Sequence, residues 1–261
     1  MTVTILRGRT SDRTPHGVRG AGLLGAALAR RLGVPVAHVG EPGPPREQRF
    51  EDDLRDGAES FAAAATAAAT SAPVLLASQC SIALATLPVV AAREPDAYLV
   101  WLDAHGDFNT PQTTGSGYLG GMPLAAACGL WESGYGAGVD PARVVLSDAR
   151  DLDAAEREEL DRAGVRRVAP DAVAPVVQGE RVFVHLDLDI LDPSILPGAV
   201  PAPGGLELDE LRALLSGIAA AATIVGLEIT AFDPPEHDQL IEPLADAIAP
   251  LLPARLLSEP V

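Results

Sequence analysis

The sequence predicts an α/β fold built on a parallel sheet, and three observations carry that prediction. Six short β-branched or aliphatic runs alternate with longer stretches of helical periodicity, the βαβ rhythm of such sheets. Two Gly- and Pro-rich segments, 110–121 and 193–205, each follow a run that ends in carboxylates, as loops at the carboxyl ends of parallel strands do. The length of 261 residues suits one core, so 1–261 is read as a single domain.

In chain order, the strand runs are Val3–Leu6, 74–77, 97–102, 144–146, 182–186 and 224–229. The first helix is expected to be capped by Thr14, with Pro15 in its first position. It carries Leu24, Ala27, Leu28 and Leu32 on one face and stops at Gly33, before Pro35. The segment 40–46, with Pro42, Pro44 and Pro45, reads as a surface loop or lid leading to the second long helix. Asp153 opens a helix that ends at Gly164, and Asp209 caps another that presents Leu211, Leu214, Leu215 and Ile218.

Composition narrows the function. Hydrophobic content of 48% with 4% aromatics describes a folding chain with an aliphatic core. The formal charge of -17 repels phosphate backbones and anionic lipids, so neither nucleic acid nor a membrane is an expected partner. The Ala-rich run 61–70 is too short and too weakly apolar to span a bilayer. Two cysteines, Cys80 and Cys128, are too few for a disulfide framework and point to a reducing, cytoplasmic location without an export signal.

The chemistry concentrates at two strand ends. One run leads into Asp103, His105 and Asp107 at i, i+2 and i+4; another leads into Asp187 and Asp189 at i and i+2. A side-chain period of two would point each set one way. A lone strand-end aspartate usually caps a turn. Five converging acid and imidazole groups need cations, because unpaired buried carboxylates are costly. Oxygen and imidazole donors suit manganese, magnesium or zinc, and shared aspartates suggest two ions bridged by one hydroxide.

On these residues, with 107–111, 113–117, 187–193 and 204–206, the sequence resembles the arginase and agmatinase family of ureohydrolases. The resemblance implies a three-layer α/β/α arginase-like fold with a mainly parallel central sheet of about eight strands. It implies two Mn2+ ions, with Asp103 and Asp187 bridging, His105 and Asp189 on one ion, and Asp107 on the other. Asp107 would also orient the nucleophile as the catalytic residue. Asn109 and Ser116 match positions that hold a substrate α-carboxylate, and Asp153 and Glu156 match those near the α-amino group. For Asp153 and Glu156 a capping box at a helix start explains the same pair.

Three departures stand out against the family pattern. Cys80 occupies a ligand histidine position, and a thiolate ligates metals well. If Cys80 does not bind, one of the two sites is weak, and a sulfur donor also opens the site to other divalent metals. Gly120 stands where arginases carry a proton-shuttle histidine. Ala231 replaces the glutamate that pairs with a guanidinium, while Glu228 remains as indirect support. His185 is expected to be a buried, hydrogen-bonded supporting residue, His16 and His38 solvated and Cys128 core, and His237 is the best candidate for a substitute shuttle.

A retained amino-acid head site with no guanidinium partner fits a less basic far end. The pattern looks like the branch of the family in D-cycloserine biosynthesis that hydrolyses Nω-hydroxy-L-arginine to hydroxyurea and L-ornithine through a metal-bridging hydroxide. The alternatives are an arginase- or agmatinase-type enzyme on another guanidino substrate, a one-zinc deacetylase-like enzyme, or a catalytically degenerate metal-binding scaffold. The expected partner is a small amino-acid-like guanidino compound. The chain is read as a monomer or small homo-oligomer, because it lacks the long C-terminal extension of trimeric arginases.

Overall fold

A computed structural model describes residues 2–11, 13–44, 48–234 and 238–252. In chain order the elements begin β1 (Val3–Leu6), α1 (Gly17–Leu32), β2 (Val36–Val39), α2 (Phe50–Asp56), α3 (Ala58–Ala68), β3 (Val74–Leu76), α4 (Ala83–Arg93), β4 (Tyr98–Asp103) and α5 (Pro123–Ala127). They continue with β5 (Val144–Asp148), α6 (Ala154–Ala163), β6 (Arg166–Val168), α7 (Val173–Val176), β7 (Arg181–Asp187), α8 (Leu208–Ala221), β8 (Thr223–Thr230) and α9 (Ile241–Ile248). The eight strands form one parallel sheet in the order β2-β1-β3-β8-β7-β4-β5-β6.

Six strands coincide with the apolar runs; β2 and β6 do not. Both are sheet edges with one neighbour each, and their sequences, VAHV and RRV, are partly exposed. An edge strand buries less side chain, so it needs no apolar run.

Alternation along the central strands sorts the core into two layers. Val100 and Leu102 pack with Val182, Val184 and Leu186 beneath α1, α8 and α9, whereas Leu99, Trp101 and Phe183 face α4 and α5. Each fully buried aliphatic side chain contributes roughly 1.5–3 kcal/mol of transfer free energy. The result is the expected three-layer α/β/α arrangement.

Two helix starts differ from expectation. The first helix opens at Gly17, with His16 rather than Thr14 in the cap position. The Thr14 hydroxyl instead donates toward the Ser78 carbonyl at 3.5 Å, which ties this turn to the β3–α4 loop. α8 opens at Leu208, because Glu207 takes the cap and the Glu210 carboxylate accepts its backbone N–H at 2.8 Å. Asp209 therefore lies inside the first turn. The α1 stop at Gly33, with φ +63°, and the α6 limits at Asp153 and Gly164 are as expected.

Strands β3, β8, β7, β4 and β5 are consecutive neighbours. Their carboxyl ends therefore sit side by side, and every predicted metal ligand lies at or just after one of them. Among the described residues, no helix is long and apolar enough to cross a membrane. His237 lies outside the described residues.

Candidate metal centre

The two central strands end in the same way. The Asp103 Oδ1 accepts the backbone N–H of His105 at 2.7 Å, and the Asp187 Oδ1 accepts that of Asp189 at 2.7 Å. Each aspartate thus folds its own chain into a turn and stops the strand. Strand alternation consequently ends at Asp103 and Asp187, because His105, Asp107 and Asp189 lie beyond the strands. Turn geometry, not strand pleat, brings them to the site. Asp107 is bent back by a left-handed φ of +48°, a conformation few non-glycine residues adopt. Its carbonyl is anchored by the backbone N–H groups of Leu124 and Ala125 at 3.0 and 3.3 Å.

Cys80, His105, Asp107, Asp187 and Asp189 line one cavity of about 240 Å³. Two groups hold donor atoms that within each group lie within 4.8 Å of one another: Cys80, Asp103 and His185, and Asp103, His105 and Asp189. Asp103 belongs to both sets. Buried His105 Nε2 and Asp107 Oδ2 have no hydrogen-bond partner, although buried polar atoms ordinarily find one. The donor chemistry and these two orphaned atoms fit divalent cations.

Local charges tell the same story. Burial, then the charge of Asp189, raises Asp103; burial, then Asp103, raises Asp107 strongly; burial, then Asp189 and Asp103, raises Asp187 strongly. Burial alone would lower His105, yet hydrogen bonds to Asp103 and Asp189 carry it up to about 12. Burial opposes ionisation of Asp189 too, but its bond to His105, at 3.0 Å, holds this one carboxyl below the usual range. Cys80 is pushed well up by burial and by Asp187, Asp107 and Asp103. A divalent cation supplies the charge that reverses these shifts.

Cys80 rests on a chain of buried groups. Its sulfur lies 2.6 Å from Asp187 Oδ2, 3.0 Å from Thr230 Oγ1 and 3.4 Å from His185 Nε2. The His185 Nδ1 meets Glu228 Oε1 at 2.9 Å, and the Thr86 hydroxyl donates to Glu228 Oε2 at 2.6 Å. The His185 ring stacks on Trp101 at 3.6 Å, and Trp101 Nε1 donates to Asp103 Oδ2 at 3.0 Å. Glu228 thus supports the site from behind, as the sequence suggests, through His185.

Asn109, Ser116, Asp153 and Glu156 all line the same cavity. The Asn109 Oδ1 is buried without a partner. Glu156 also performs the capping function, since its carboxylate accepts the N–H of Asp153 at 3.3 Å and of Phe108 at 2.9 Å. Burial, against those two bonds, raises its pKa to about 7.

Ala231 and Gly120 also face the cavity. A Cβ on Gly120 would lie 2.6 Å from Tyr118 Cζ and 2.8 Å from its hydroxyl oxygen, so the Tyr118 ring fills the space a side chain at 120 would need.

Sequence reasoning missed Tyr118, Gln79 and Arg150. The Arg150 guanidinium pairs with Asp148 and donates to the carbonyls of Asp189 and Ala202 at 2.9 and 2.7 Å, pinning the turn that carries Asp189. An arginine beside a strand-end acid was the available signal.

Comparison with known proteins adds four findings. A family model described as "Arginase family" matches residues 30–249. The chain is 38% identical over 264 residues to an N(omega)-hydroxy-L-arginine amidinohydrolase of Streptomyces lavendulae, covering 96% of each. Its fold superposes on the arginase of Bacillus caldovelox with a TM-score of 0.78 at 26% identity, covering 96% of this chain and 97% of that one. It superposes on the arginase of Bacillus cereus with a TM-score of 0.79 at 25% identity, covering 97% and 98%.

Proposed function

The chain belongs to the arginase family, and from that premise we propose that it hydrolyses Nω-hydroxy-L-arginine to hydroxyurea and L-ornithine. The observation that carries the choice of substrate is the lining of the cavity. Among the described residues, the lining offers no carboxylate besides the proposed ligands and the acids Asp151, Asp153 and Glu156, and Ala231, Gly120 and neutral polar groups make up much of the rest. A fully charged head would lose solvent without gaining a counter-ion. An N-hydroxyguanidine, made less basic by its electron-withdrawing oxygen, enters neutral.

Two divalent cations, which we assign as manganese, would be shared by Asp103 and Asp187. His105 and Asp189 would complete one site, Cys80 and Asp107 the other. When bound, they supply positive charge that polarises the amidine and makes water nucleophilic at neutral pH.

Asp107 acts as the orienting residue, because its orphaned Oδ2 can accept a proton of the attacking water and fix its direction. Asn109 and Ser116 hold the α-carboxylate; Asp153 and Glu156 receive the α-amino group. Held at both ends, the substrate presents its amidine carbon to the water. Water adds to that carbon, the bond to Nδ breaks, and the amine departs with a proton as ornithine. We place the protein in the cytoplasm as a monomer or small homo-oligomer, a location that suits its free Cys80 and Cys128.

The test is hydroxyurea and urea release from Nω-hydroxyarginine and arginine in the presence of manganese. A kcat/KM at least about a hundredfold higher for the hydroxylated substrate is expected from a site built around a neutral head. Comparable turnover of both substrates overturns the choice.

A further inference from the structure

We propose that the Tyr118 hydroxyl is the group that recognises the substrate's N-hydroxyl, and so sets the preference for a hydroxyguanidine. The inference rests on the substrate class proposed above. Tyr118 enters the cavity beside Gly120, with its ring in the space a Cβ there would occupy. Its other surroundings hold it in that pose, since the Arg13 guanidinium lies 4.4 Å from the ring centroid.

The hydroxyl is aimed by two further side chains that line the same cavity. Tyr118 donates to Gln79 Oε1, and Gln79 Nε2 donates to Thr14 Oγ1 at 2.9 Å. Gln79 immediately precedes Cys80, so this rung of neutral polar groups stands at the metal end of the cavity.

With its proton committed to Gln79, the phenol oxygen keeps its lone pairs as acceptors. An N–O–H group is a donor that arginine lacks, and a phenol oxygen receives it without the charge a carboxylate would impose. The remaining acids of the cavity, Asp151, Asp153 and Glu156, come from the segment after β5, and Asp153 and Glu156 are assigned above to the α-amino group. Discrimination of this kind, by a polar group built to meet a substrate hydroxyl, exceeds what shape alone provides.

The test compares wild type with Tyr118→Phe, which keeps the ring against Gly120 and removes only the hydroxyl. KM for Nω-hydroxyarginine should rise about five- to tenfold, the loss of one hydrogen bond, while inhibition by ornithine stays within about twofold. Ornithine has no hydroxyguanidine, so a change confined to packing would move both constants together. Gln79→Leu frees the phenol to turn and should shift the same KM in the same direction by a smaller factor. An unchanged KM for Nω-hydroxyarginine in Tyr118→Phe, or an equal loss of ornithine binding, overturns the assignment while leaving the proposed reaction intact. A wild-type protein that neither binds nor cleaves Nω-hydroxyarginine overturns both.

Discussion

The two halves of the candidate metal centre are built on different principles. Around His105 the groups are partly open, with the His105 and Asp189 side chains 20% and 16% exposed, and they neutralise one another within hydrogen-bond reach. Around Cys80 the groups are sealed, and the sulfur leans on His185 and Glu228, both fully buried. The first half is made by short turns after two neighbouring strands. The second is made by contacts between β3, β7, β8 and α4 and depends on the whole sheet being assembled. Asp103 joins them, because it belongs to both donor sets.

The shared residue should give the largest effect. Asp103→Ala removes a donor from both sets, so it should abolish binding of both cations and lower kcat/KM by more than about a hundredfold, beyond the usual cost of losing an outer partner. Metal analysis beside hydroxyurea release checks this. Retention of one tightly held ion would show that the halves are independent.

Next in size, Cys80→Ala should affect one half alone. Bound metal should fall from about two ions per chain to about one, and activity should fall with the ion lost. His185→Ala should weaken that same ion about ten- to hundredfold while leaving the other, because outer hydrogen bonds orient the ligands they touch. A sulfur-to-cobalt charge-transfer band in the cobalt-loaded protein reports the thiolate directly. Its presence in wild type and persistence without change in His185→Ala would separate His185 from the sulfur.

The His105 half was legible in the chain because its parts are local. Asp103, His105 and Asp107, like Asp187 and Asp189, declare themselves by spacing, although turns rather than a strand pleat deliver them. Cys80 was legible by its position. Its support was not, because Thr86 and Glu228 are separated by 142 residues and only the sheet order makes β3, β8 and β7 neighbours. Tyr118 was hidden for a similar reason: its meaning depends on Gln79, 39 residues earlier, and on the ring packing against Gly120. The central strands were readable as apolar runs, while β2 and β6 were not, since edges bury too little to leave that mark.

A pH experiment probes the electrostatics of both halves together. Burial raises Glu156 from 4.5 to about 7 and, in the same direction, raises Asp103, Asp107 and Asp187. Once cations are chelated, the native state therefore binds more protons than the unfolded chain, and stability falls as pH rises. For Glu156 the contribution is present below pH 4.5 and lost through about pH 7, a change of about 3 kcal/mol at about 1.4 kcal/mol per unit. For His105 it is present below 6.5 and lost through about 12. Asp189 has the opposite sign, but its window lies below 3.8. Urea midpoints in EDTA should thus be higher at pH 5 than at pH 8, and excess manganese should reverse the order, because cations displace those protons. A flat profile in EDTA would contradict the crowded-acid picture.

The smallest expected effect sharpens the comparison most, because it touches the hinge between the halves without removing a ligand. Trp101→Phe keeps an aromatic face for the His185 ring, now stacked at 3.6 Å, but deletes the N–H that holds Asp103 Oδ2 at 3.0 Å. The lost bond leaves a buried carboxylate oxygen freer to turn, which should cost about three- to tenfold in cation affinity, at or below the lower limit of about tenfold usual for outer partners. Since Asp103 serves both sets, both ions should weaken together, whereas His185→Ala weakens one. Chelator competition with stepwise metal titration distinguishes the two patterns. If Trp101→Phe loosened a single ion, Asp103 would belong to one half only, and the centre would be two adjacent sites rather than one joined pair.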